Sequence, residues 1–160
     1  MTEVRLVLIA CAVAVLSGCA SMQGKPAALP DPALAGEWSG RVRVVVDWCT
    51  RAHLPIDLTI HPDATVDGMV GDAVIAGGYV RVNRGPLARS LGWKRDYIIV
   101  ADLQGPIVKS EGIERASISI PFDLRGDSLA GGAHTSGSKV GGKRSMKLSG
   151  IFEGVERSAP

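Results

Sequence analysis

From Glu37 onward apolar and polar positions alternate with a period of two, the pattern of half-buried strands rather than of helices. Trp38, Gly40, Val42, Val44 and Val46 fall on one face of a first strand, with Ser39, Arg41, Arg43 and Val45 opposite. Leu54, Ile56, Leu58 and Ile60 repeat the pattern against Pro55, Asp57, Thr59 and His61. The turn His61-Pro62-Asp63-Ala64 follows, its Pro presetting φ for a tight reversal. Thr65 to Ala76 and Tyr79 to Asn83 read as strands hinged at Gly77-Gly78. Tyr97, Ile99, Ala101 and Leu103 alternate again, as do Ala116, Ile118, Ile120, Phe122 and Leu124. Ser128 to Ala133, opened by the turn Arg125-Gly126-Asp127, and Ser145 to Val155 complete the set. One stretch breaks the rhythm. Gly85 to Gly92, with Pro86 near its start and Leu87 and Leu91 four apart, predicts a short helix across one end of the sheet. Together these elements predict an all-β fold over residues 34–157, a single small antiparallel barrel or barrel-like sheet of about eight strands with one short helix.

The N-terminus follows a different pattern. After Met1 to Arg5, the run Leu6 to Leu16 is unbroken apolar sequence. A helix of about 11 residues rises about 16 Å, roughly half the hydrocarbon core, so this run is too short to span a bilayer. Its length and flanks fit a processed export signal. The closing residues Leu16-Ser17-Gly18-Cys19 resemble the lipobox of bacterial lipoproteins. That resemblance implies a signal peptide over residues 1–18, cleavage before Cys19 and acylation of the Cys19 thiol. An ordinary signal peptide cut nearby is the alternative. In Gram-negative lipoproteins an Asp after the Cys marks inner-membrane retention, so Ala20 implies the outer membrane, with the body facing the periplasm. Each buried acyl methylene contributes about 0.8 kcal/mol, and two or three chains hold a protein firmly. Residues 19–33 then read as a flexible tether, because Ser21 to Pro32 is rich in Ala, Pro and Gly without periodicity.

Composition narrows the function classes. Removing the leader leaves about 140 residues, enough for one domain with a real core. Glu3 and Arg5 cancel, so the mature charge stays near the +2 of the whole chain, too small to argue for nucleic acid. Twenty glycines and 4% aromatics suit a tightly turned β-protein. Of the three cysteines, Cys11 leaves with the signal and Cys19 is the lipid site, so Cys49 stands alone and no internal disulfide is expected. Cys49 reads first as a buried hydrophobe, with a reactive thiol or an intermolecular bridge as alternatives.

Gly36-Glu37-Trp38, at the start of the first strand, resembles the Gly-x-Trp motif of lipocalins and related calycin barrels. Asp96-Tyr97 is similar to the family's Thr-Asp-Tyr motif, with Arg95 in place of the Thr. The resemblance implies that Trp38 closes the barrel floor and that Arg157, after the last strand, packs over it. A differently closed or partly open sheet is the alternative. Gly137 to Arg144 nearly spells a phosphate-binding loop, but Arg144 stands where Ser or Thr belongs and the segment joins two strands. Arg81, Arg84, Arg89, Lys94 and Arg95, with Trp93 among them, form the strongest local charge asymmetry. Such a stretch contacts anionic headgroups or is simply a solvated face. Cys49, His53, His61 and His134 do not make a metal site by spacing alone, and no Gly-x-Ser-x-Gly elbow marks a nucleophile. No cofactor, metal or catalytic residue is expected.

The sequence thus predicts a non-enzymatic lipoprotein held to the outer membrane by its N-terminal lipid. It would bind a small apolar ligand inside the barrel or an envelope protein at a rim. A periplasmic inhibitor of a lysozyme or protease is the alternative.

Overall fold

The computed structural model describes residues 26–83, 95–137 and 148–158. Ten strands run through them: β1 (Gly36–Val44), β2 (His53–Ile60), β3 (Thr65–Val70), β4 (Ala73–Val82), β5 (Tyr97–Gln104), β6 (Pro106–Val108), β7 (Ile113–Glu114), β8 (Ser117–Arg125), β9 (Ser128–Ser136) and β10 (Ser149–Arg157). Eight of them close into one antiparallel barrel in the order β1-β10-β9-β8-β5-β4-β3-β2. Each barrel strand lies beside its neighbours along the chain, so the barrel is an up-and-down meander with no unpaired edge. β6 and β7 form a separate hairpin between β5 and β8.

The alternation explains the closure. On β2, Leu54, Ile56, Leu58 and Ile60 are all buried while His53, Pro55 and Asp57 are exposed. Val42, Val66, Val80, Ile99, Ile120 and Phe122 point inward from five other strands, and all belong to one continuous core. Rolling the sheet into a barrel gives every one of these faces a partner.

The hinge expected at Gly77-Gly78 lies elsewhere. The stretch expected as one strand from Thr65 to Ala76 reverses at Gly71-Asp72, where Gly71 takes φ +62°, the left-handed conformation that tight two-residue turns demand. Gly77-Gly78 instead sits at a register shift within β4, between Ala76 and Tyr79. The turns at Ala64 and Gly126 stand where expected, both with positive φ. The β6–β7 hairpin is an element the alternation did not predict, and the helix expected over Gly85 to Gly92 falls outside the described residues.

Part of the expected tether is packed. Asp31 caps a short 3₁₀ turn, Pro32–Leu34, by accepting from the Ala33 N–H at 2.9 Å, with Pro32 in its first position. Leu34 is fully buried and Leu29 packs on the core, its N–H reaching the Pro62 carbonyl at 3.4 Å. These residues form a strap across the end of the barrel where β1 begins, here called the lower end.

Candidate functional site

The lower end is sealed by Trp38. Its indole N–H donates to the Leu34 carbonyl at 3.0 Å, satisfying the one polar group of an otherwise buried side chain. Arg157 lies over the ring, its guanidinium carbon 4.3 Å from the ring centroid. The same guanidinium donates to the Ala35 carbonyl at 2.6 Å and to the Ala33 carbonyl, fastening the strap. Gly36 makes this possible: a Cβ there would stand 2.5 Å from Arg157 Nη1. Tyr97 donates its hydroxyl to Asp31 at 3.1 Å, and its ring packs 5.7 Å from that of Phe122. Burial, and then the bond to Asp31, push the Tyr97 pKa up. The structure therefore brings Gly36, Trp38, Tyr97 and Arg157 together at one end. Asp96 does not join them: it is exposed, and its backbone N–H donates to Asp123 at 2.9 Å.

Arg157 thus has a mechanical role that can be measured. Arg157→Met should destabilise the protein by about 2–3 kcal/mol in urea melts, from the lost cation–π contact and charged hydrogen bonds. A change below about 0.5 kcal/mol, the level of an ordinary surface substitution, would mean that the strap holds without it.

The basic stretch is only partly described. Arg84, Arg89 and Lys94 lie outside the described residues, as does Cys19. Arg95 is paired with Asp123 at 2.6 Å, so its charge is compensated within the fold. Arg81 lies on β4 with its Nε buried and without an acceptor among the described residues.

At the opposite, upper end the loop between β1 and β2 is bound to the β6–β7 hairpin. Glu111 accepts from the Thr50 hydroxyl at 2.6 Å and from its N–H at 3.2 Å. Asp72 accepts from the Lys109 N–H at 2.8 Å and stands 3.9 Å from Arg51. The Asp72 N–H in turn reaches the Ile107 carbonyl at 3.1 Å, so three separate connections form one fixed rim. Cys49 is buried under it, with its sulfur 3.7 Å from the Arg51 carbonyl and 3.9 Å from Glu111. Burial, reinforced by the Glu111 carboxylate, pushes the thiol pKa up, which keeps the sulfur protonated and poorly nucleophilic at neutral pH.

The histidines go to separate places on the outer wall. His53 pairs with Glu153 at 3.0 Å, His61 with Asp67 at 2.9 Å, and His134 contacts Ser149 at 3.2 Å. Among the described residues no three His, Cys, Asp or Glu side chains converge as a metal site would require. One buried charged residue escaped sequence reasoning: Arg115, beneath the upper rim, whose Nε donates to Thr135 at 3.0 Å.

The fold and its two ends define a small up-and-down β-barrel, plugged below by a Trp–Arg pair and capped above by a tied rim. No family model matches the chain, and neither a curated protein nor a solved structure matches it.

Proposed function

We propose that this protein is a non-enzymatic lipoprotein of the bacterial outer membrane that binds an envelope protein at the upper rim of its barrel. The observation that carries this reading is the filled interior. Val42, Leu54, Ile56, Val66, Val80, Ile99, Ile120 and Phe122 are fully buried, so the interior around them is packed with side chains. An apolar ligand would need roughly 300 Å³ or more in the same place. A partner at the rim needs none, and a rim already tied in place loses little entropy on binding.

The strap agrees with this orientation. It leaves the barrel at the lower end, and the stretch of about ten residues from Cys19 to Leu29 reaches at most about 35 Å. A lipid on Cys19 would therefore hold the lower end near the membrane and turn the rim toward the periplasm. Inhibition of a periplasmic lysozyme or protease is the second reading, favoured by the same filled interior, since a rigid barrel is a scaffold for presenting a loop to an enzyme cleft.

Acyl labelling in a bacterial host tests the anchor. The wild type should incorporate labelled palmitate, and Cys19→Ser should remain an unlabelled, uncleaved precursor. Native mass spectrometry of the delipidated body from its own host tests the rim. It should show either bare protein or a protein complex. A stoichiometric apolar small molecule that stays bound would overturn the reading.

A further inference from the structure

Arg115 follows β7, and its side chain folds back under the rim until only 1% of its surface is exposed. Its Nε donates to the Thr135 hydroxyl, on the inner face of β9. That hydroxyl has no capacity left, because it donates to the Leu148 carbonyl at 3.2 Å and accepts from the Leu148 N–H at 3.0 Å. Arg115 Nη1 is buried and has no acceptor among the described residues. Among the described residues no carboxylate forms an ion pair with it. Burial lowers its pKa. Residues 138–147, which join Gly137 to Leu148, include Lys139, Lys143, Arg144 and Lys147 but no Asp or Glu. That stretch offers no counter-charge wherever it lies.

A guanidinium does not lose its proton under conditions in which proteins stay folded. Its desolvation is relieved only by a partner that brings acceptors and opposite charge. We propose that Arg115 anchors an anion site under the upper rim of the barrel, and that its ligand bears a carboxylate. The planar fork of Arg matches the two oxygens of a carboxylate better than it matches a point charge. Leu148 is buried and apolar, and Thr135 has no free donor, so recognition rests on the guanidinium. Nη1 has essentially no accessible surface, so small carboxylates are the fitting probes. This site is independent of the envelope reading and stands or falls separately.

The test is thermal melting of the full chain in formate, acetate, phosphate or chloride at equal pH and ionic strength. Formate and acetate should raise the wild-type melting temperature over chloride by roughly 5 °C once well above their dissociation constants. Arg115→Met should melt at the same temperature in all four salts. Arg115→Lys, which keeps the charge without the fork, should respond less than the wild type, and it serves if the Met variant does not fold. A wild type indifferent to carboxylates, or a Met or Lys variant that responds as fully as the wild type, would overturn the proposal. A stronger response to phosphate than to acetate would overturn the assignment of a carboxylate.

Discussion

Trp38→Ala should destabilise the protein by about 3–5 kcal/mol, the range for removing a large aromatic side chain from a packed core. Small domains are stable by only about 5–15 kcal/mol in total, so this single change can leave a large unfolded fraction. The loss has three sources. The indole fills the lower mouth of the barrel with 1% of its surface exposed, so its removal opens a cavity between β1 and the strap. The Leu34 carbonyl loses its donor. Arg157 loses the ring beneath its guanidinium and keeps its bonds to the strap and Asp127. Trp38→Phe separates these terms, because it keeps an aromatic face but leaves the Leu34 carbonyl unpaired; it should lose less than the Ala variant. Urea titrations with unchanged slope and a lowered midpoint would report the effect as one on stability alone. A Trp38→Ala protein with a wild-type midpoint would show that the strap seals the barrel by itself.

The parts of this fold legible in the sequence are those with uninterrupted alternation. β2 has its four inward residues two apart with no bulge, and its inner face follows directly from Leu54, Ile56, Leu58 and Ile60. Reading fails where the phase changes. Extending the alternation of Ile118 and Ile120 backward places Ala116 inside and Arg115 outside. The chain instead crosses from β7 to β8 at this point, and the inward positions move from Ile113 and Arg115 to Ile118 and Ile120. A lone arginine in an alternating stretch carries no local mark of such a crossing. Gly71-Asp72 and Gly77-Gly78 are both plausible turns in isolation. The pairing of Ile56 with Val70 decides between them, since β3 must end where β2 begins.

The closed end shows the same division. Asp31-Pro32 is a recognisable helix-start signal, and it marks the strap that looked like featureless tether. The neighbourhood of Trp38 and Arg157 has no local signature. Trp38 pairs with Arg157 across β1 and β10, a contact made by ring closure between the first and last barrel strands. Only the Gly-x-Trp resemblance pointed to it. The rim was not legible at all, because Glu111 and Thr50 meet through a hairpin that alternation alone did not reveal.

The second large effect is expected at Gly68. This glycine sits in β3 at φ +143°, opposite Leu58 of β2 and beside a register shift against β4. A Cβ at this position would be driven into the Asp57 carbonyl oxygen, and its next neighbours are also β2 backbone. Backbone cannot swing aside as a flexible side chain does, so the strands must separate or the bulge must be lost. Gly68→Ala therefore combines two penalties, about 1–3 kcal/mol of backbone strain and about 1–3 kcal/mol of overpacking. Gly105→Ala is the control. Gly105 also has positive φ, at +84°, but nothing stands within 4 Å of its missing Cβ. It should show backbone strain without the clash, so Gly68→Ala should lose more than Gly105→Ala. The weakened pair should also lose hydrogen-exchange protection along Ile56 to Ile60 and Val66 to Val70 before the rest of the barrel. Equal midpoints for the two variants would mean that the bulge relaxes around an added methyl group and that the closeness of β2 to β3 does not hold the barrel's curvature.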